Sequence, residues 1–169
     1  MGRRQVKCHG DDKRFEVVAR FIYDRFGKKI KYIADVAGGQ GVLTRLLNKK
    51  YGYESEVIDP RGYTLVGVSS RQSEYDSTMA NYYDLIIGLH PDEATREVAK
   101  SALTRPVLIV PCCNFWTREK KLGSKELVSA ICDYFKENKI EYEIINFDFA
   151  GPKNVGILTK GIIENYEKI

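Results

Sequence analysis

The sequence holds no apolar run near the roughly 18 residues that would read as a membrane-spanning helix, and it has no internal repeat or low-complexity tract. Collagen, disorder and membrane spans are therefore excluded. Cysteine is scarce: Cys8, Cys112, Cys113 and Cys132 contain no C-x-x-C pair and fall short of a secreted disulfide scaffold. They read as thiols of a reducing cytoplasm. The spacing of Cys8, His9, His90 and Cys112 does not support a zinc site, so no metal is expected. The opening MGRRQVKCHG is basic but lacks the apolar segment of an export signal, and Val6 stands where a myristoylation motif wants Ser or Thr. The expectation is a cytoplasmic protein without a membrane partner. Neither sign of charge dominates: 27 Lys+Arg against 23 Asp+Glu leave a net charge of +4, which permits an RNA partner without requiring one.

What is present suits an ordinary globule of 169 residues, 43% hydrophobic and 30% charged. A chain of this length buries roughly 70% of its unfolded surface, enough for a core without staples. With no Pro/Gly linker to divide it, 1–169 reads as one domain, a basic tail and helix over 1–28 followed by a core over 29–169. Phe15, Val18, Ile22 and Phe26 recur at helical period, predicting a helix over 12–26 with Asp11 or Asp12 at its start and Gly27 at its end. A strand over 31–36 runs into AGGQG and then an amphipathic helix bearing Val42, Leu43, Leu46, Leu47 and Tyr51. Strands are expected over 56–59, 64–68, 83–89 and 106–110, with a polar loop over 69–81. Pro91 is expected to open a helix to Leu103, and Ser124 to cap one to Asn138. Two β-rich segments joined at Gly151-Pro152 close the chain as a hairpin, so one terminal strand runs antiparallel. The fold class is α/β, a doubly wound, mostly parallel Rossmann-like sheet with that antiparallel strand.

In such a sheet, ligands bind at the carboxyl ends of the strands where strand order reverses. There lies Asp35-Val36-Ala37-Gly38-Gly39-Gln40-Gly41, whose glycines allow close backbone approach and whose following helix presents free amides. Asp59, with Pro60 and Arg61 behind it, ends the second strand, where a carboxylate can accept from ribose hydroxyls. Together they describe a pocket for a nucleoside-containing cofactor. A dinucleotide fingerprint would need a third glycine where Thr44 stands, and an acid at the strand end suits an ammonium better than a pyrophosphate. The loop thus favours S-adenosylmethionine over NAD.

The strand, the D-x-A-G-G-Q-G loop, the second strand ending in Asp and the late hairpin resemble a class I S-adenosylmethionine-dependent methyltransferase over essentially the whole chain. That family's loop is acid-x-Gly-x-Gly-x-Gly, and Ala37 replaces its first glycine. More specifically, DVAGGQG, IDPRG, GLHPDEAT and VPCC resemble a little-characterised methyltransferase-like family. A His after strand four and Cys-Cys after strand five are similar to an arrangement in some tRNA 2′-O-methyltransferases, although those have Leu-Cys-Gly after the His where this chain has Pro91-Asp92. The resemblance implies S-adenosylmethionine as cofactor, with Asp35, Ala37, Gly38, Gly39, Gln40, Gly41, Asp59, Pro60 and Arg61 as the candidate binding residues, Arg61 lying beside the adenosine or pairing with an acidic neighbour.

Methyl transfer needs positioning of acceptor and donor, and a base only where the acceptor must lose a proton. His90 and Asp92, just past strand four, are the candidates, since histidine titrates near neutrality. Cys112 or Cys113 could attack a pyrimidine ring or accept the methyl group, which would need a lowered thiol pKa. Trp116, Arg118, Lys120 and Lys121, with Arg3, Arg4 and Lys7, could form an RNA-binding rim, against the plainer alternative of a solvated loop whose Trp packs on the core. With little chain left for a recognition domain, a large substrate would be read by the basic loop, by the N-terminal helix, or by a partner protein or second copy. The competing readings are a non-catalytic relative serving as an assembly subunit and an NAD(P)-dependent oxidoreductase. The methyltransferase reading requires an antiparallel terminal strand and an Asp59 carboxylate turned toward the glycine loop.

Overall fold

A computed structural model describes residues 10–112, 115–117, 119–151 and 153–160. Helix α1 (Lys13–Phe26) begins where the Asp11 carboxylate accepts from the Lys13 N–H at 3.0 Å, and ends at Gly27, whose φ of 52° only glycine adopts without strain. Strands β1 (Tyr32–Val36) and β2 (Glu54–Ile58) flank helix α2 (Val42–Tyr51) and pair in parallel, Asp35 opposite Val57. Strand β3 (Ser70–Arg71), β4 (Leu85–Leu89) and β5 (Val107–Val110) extend the parallel set. A short ribbon, β6 (Phe115–Thr117) with β7 (Lys120–Lys121), stands apart from the sheet. Helix α4 (Ser124–Glu137) follows, and then β8 (Tyr142–Asn146) and β9 (Val155–Thr159) form the hairpin.

The seven-stranded sheet has the order β3-β2-β1-β4-β5-β9-β8, with β9 antiparallel to both neighbours. Strand order reverses between β1 and β4, which opens a crevice beyond their carboxyl ends. Period-2 alternation divides the core between two faces. Ile33, Leu85, Ile87 and Leu108 meet α1 and α2 through Val18, Ile22, Leu43 and Leu47. Ala34, Ile86, Val107 and Ile109 meet Leu127, Ile131 and Phe135 of α4, together with Val98 and Ala99. Each such fully buried Leu, Ile or Phe contributes about 1.5–3 kcal/mol.

Several local expectations are corrected. The segment 64–68 is a turn, not a strand: Thr64 and Val68 lie against the bare Cα of Gly41, and the Leu65 N–H donates to the Gln40 carbonyl. The third strand falls instead at Ser70–Arg71, inside the stretch expected as loop, which also holds a 3₁₀ turn over Ser77–Tyr82. The helix expected from Pro91 is broken by the left-handed φ of 48° at Asp92; 3₁₀ turns at Asp92–Ala94 and Ser101–Leu103 bracket a one-and-a-half-turn helix α3 (Thr95–Lys100). Finally, Gly123, not Ser124, caps α4, its N–H donating to the Glu126 carboxylate. Strand β4 starts two residues later than expected, at Leu85, and β2 two residues earlier, at Glu54.

Candidate functional site

A cleft of about 890 Å³ opens at the carboxyl ends of β1, β4 and β5. Its floor is the glycine loop. Alternation along β1 turns Asp35 to the same face as Ile33, under α2, where the Thr44 hydroxyl donates to it at 2.9 Å and Thr44 in turn accepts from Ser55. Asp35 is 1% exposed, and a Cβ at Gly38 would lie 2.6 Å from its carboxyl carbon, so only glycine lets the loop close over this acid. Burial raises the Asp35 pKa to about 7, the Thr44 hydrogen bonds oppose that shift, and the charge of Asp59 adds to it.

Gly41 is a second obligatory glycine, with φ 81° and a virtual Cβ 2.6 Å from Val68 Cγ1 and 2.9 Å from Val57 Cγ2. Asp59 faces the loop: its Oδ2 accepts from the Gly39 N–H at 3.0 Å. Arg61 wraps the same carboxylate, donating from Nε at 2.9 Å and from Nη2 at 2.7 Å, and its backbone N–H donates at 2.9 Å. Burial works against ionisation of Asp59, but Arg61 and the backbone donors outweigh it and hold the acid below its ordinary pKa.

Opposite the loop, His90 continues the β4–β5 pairing through its N–H to the Val110 carbonyl and adopts a left-handed φ of 54°. Its Nε2 lies 2.9 Å from the Lys153 carbonyl oxygen. A carbonyl only accepts, so Nε2 carries the proton and Nδ1 of the neutral ring keeps a lone pair. Burial pushes the His90 pKa below its ordinary value, which favours that neutral ring. The Cys112 thiol donates to Asp92 at 3.0 Å, and burial first, then the Asp92 carboxylate, pushes its pKa up to about 12. The depressed thiol pKa that a nucleophile requires is absent at Cys112; the thiol instead positions Asp92. Ala37, His90 and Asp92 are three of the four non-glycine residues with positive φ among those described, and all three line the cleft. Backbone strain of this kind gathers at functional sites.

Of the residues anticipated from sequence, Asp35, Ala37, Gly38, Gly39, Gln40, Arg61, His90, Asp92 and Cys112 line the cleft. Asp59 sits directly behind Arg61, Gly41 lies beneath the 64–68 turn, and Pro60 is exposed with its carbonyl accepting from Gln72. Asp11, Arg14, Phe15, Tyr63, Phe149 and Lys153 also line it and were not foreseen. The hairpin reaches the site because Asp11 bonds the Ala150 N–H at 2.8 Å across the fold, a pairing with no local sequence signal. Trp116 lies away from the cleft, edge-on to Tyr134 with Arg96 over its ring. Its ring packs on the core. Lys120 and Lys121 are exposed on β7, while Cys113 and Arg118, like the basic tail, lie outside the described residues.

No family model matches the chain, and no curated protein matches it in sequence. Solved structures do match. A sugar N-methyltransferase of Streptoalloteichus superposes with a TM-score of 0.55 at 12% identity, over 95% of this chain and 99% of its own. A SAM-dependent methyltransferase of Archaeoglobus fulgidus gives 0.56 at 14% identity, over 88% and 96%. The chain has the fold of class I methyltransferases. The magnesium protoporphyrin IX methyltransferase of Synechocystis, solved with SAM bound, gives 0.53 at 12% identity, over 87% of this chain and 76% of its own. These enzymes share with the chain an α/β, mostly parallel sheet. Among the described residues, no helix is long and apolar enough to cross a membrane.

Proposed function

We propose that this protein is a methyltransferase that uses S-adenosylmethionine (SAM) and acts on a hydroxyl or ring nitrogen of an RNA or a small molecule. The observation that carries this reading is the Asp59 carboxylate turned onto the Gly39 N–H, directly behind the Arg61 that lines the cleft, in a sheet whose β9 runs antiparallel. The cleft residues fit the cofactor: Asp35 is a buried acid at the end of β1 that an ammonium would hold ionised, and Gly38 and Gly39 leave the loop surface bare. SAM, when bound, supplies a sulfonium-activated methyl group, and the protein's work is positioning, exclusion of water and removal of one proton. Asp59 would hold the ribose, the loop amides the nucleoside edge, and Asp35 the amino-acid end. His90 is the base, taking the acceptor's proton on Nδ1 while Lys153 holds Nε2. Asp92, held by Cys112, supports the acceptor side. An RNA acceptor would reach the cleft past the exposed Lys120 and Lys121, with a partner protein or second copy extending the surface.

The test is transfer of labelled methyl from SAM to fractionated RNA and to a small-molecule extract. Label in one pool, reduced by about 10²–10⁴-fold in His90→Ala, is the expected result for loss of a general base. Absence of label from every pool despite SAM binding would favour a non-catalytic subunit.

A further inference from the structure

The carboxylate that is to hold the ribose has no acceptor position left. Oδ1 of Asp59 accepts from the Arg61 backbone N–H and from Arg61 Nε, each at 2.9 Å. Oδ2 accepts from Gly39 at 3.0 Å and from Arg61 Nη2 at 2.7 Å. A carboxylate offers about four lone-pair sites, and the Arg61 side chain holds two of them. Asp59 is 4% exposed and does not line the cleft; the Arg61 side chain, 47% exposed, covers it and does. Two neighbouring ribose hydroxyls must displace Nε and Nη2 to reach Asp59. The two backbone donors stay in place whether or not the guanidinium does.

Resting on the nucleoside reading of this cleft, we propose that Arg61 is an internal competitor for the ribose subsite that sets nucleoside affinity by occupying the acceptor positions the ribose needs. The guanidinium has other groups to turn to when it leaves. It is half exposed, the Tyr63 ring centroid already lies 4.9 Å from it, and beyond Asp59 the charge of Asp92 acts on it across the same cleft. Arg61 is therefore a specificity-determining residue: a ligand lacking the ribose diol cannot displace it, and a ligand carrying the diol binds against it.

The probe is adenosine, uncharged and without the amino-acid end that would engage Asp35, titrated by calorimetry into the wild type, Arg61→Ala and Arg61→Gln. The expected result is adenosine binding about tenfold tighter in both variants, equivalent to about 1.4 kcal/mol. Dideoxyadenosine, which lacks the diol that displaces the guanidinium, should bind no tighter in either variant than in the wild type. A merely structural arginine would move both ligands alike. Thermal unfolding confirms the fold of each variant, and Arg61→Gln, which keeps much of the side chain's bulk, serves if Arg61→Ala does not fold. Adenosine bound by the wild type but equally or less tightly by the folded variants would overturn the proposal alone. Failure of every form to bind adenosine or SAM would overturn the nucleoside reading and the proposal with it.

Discussion

Replacing Asp35 by Asn should make the protein more stable at alkaline pH, although it removes a hydrogen-bonded carboxylate. The pKa of Asp35 is raised from 3.8 to about 7, with burial as the leading cause. A raised folded-state pKa means that the folded protein holds this proton more tightly than the unfolded chain. The contribution is fully present below the unfolded pKa near 3.8 and is lost as pH rises through about 7. Each tenfold step in proton affinity corresponds to about 1.4 kcal/mol, so full ionisation costs the fold about 4 kcal/mol at most; relaxation around the acid reduces this to about 2–4 kcal/mol. Asparagine is close in shape and can still accept from the Thr44 hydroxyl, without the charge. The assay is urea unfolding at about pH 5 and about pH 8 for both forms. Part of that loss is already complete at about pH 5, more than one unit above the unfolded pKa, so the wild type should lose about 1–3 kcal/mol relative to the variant over that range, which in a thermal melt is a Tm difference on the order of 3–10 °C. An identical pH dependence in Asp35→Asn, or a variant less stable than the wild type at pH 8, would show that the loop supports an ionised Asp35. The same linkage predicts that SAM, by placing an ammonium near Asp35, releases a proton on binding below about pH 7, visible as a buffer-dependent heat.

Three further outcomes are expected. Gly41→Ala should destabilise by roughly 2–4 kcal/mol, from a left-handed Cβ driven into Val68 and Val57, and should weaken SAM binding more than Gly27→Ala, which meets open space and lies away from the cleft; thermal melts and titrations compare them. At saturating SAM, where Asp35 is already ionised, the methylation rate should rise with pH through an apparent pKa below 6.5 and then stay flat, because burial depresses His90 and its neutral ring is the active form; a pH–rate profile checks this, and an inflection above 6.5 contradicts it. Cys112, with its pKa pushed up to about 12, should resist iodoacetamide at pH 8, and Cys112→Ser should keep activity within about tenfold; peptide mapping and the methyl-transfer assay report on each.

What the sequence made legible is what depends on near neighbours. Asp35, Gly38, Gly39 and Asp59 could be placed because alternation sets the face of a strand residue and a glycine-rich turn after a strand has few conformations. The closing hairpin was legible because no helical pattern intervenes between its two β-rich segments. The 64–68 strand was misread because β-branched residues there serve a different end, covering Gly41, and apolar alternation cannot distinguish a cover from a strand. The helix from Pro91 starts later than its pattern suggests because that start depends on the left-handed Asp92, which is held by Cys112, two residues past β5. Arg14, Phe149 and Lys153 went unseen for a related reason: the Asp11–Ala150 bond brings them to the cleft across nearly the whole chain. Trp116 had two readings from sequence, and its packing on Tyr134 supports the core one.

The chemistry proposed for this cleft rests on a sulfonium cofactor held through Asp59. Calorimetric titration of SAM, with NADH as a parallel ligand and Asp59→Ala as the control, tests it most directly. Micromolar binding of SAM, lost in Asp59→Ala and absent for NADH, is the predicted result. Binding of NADH in place of SAM, or SAM binding indifferent to Asp59→Ala, would contradict it.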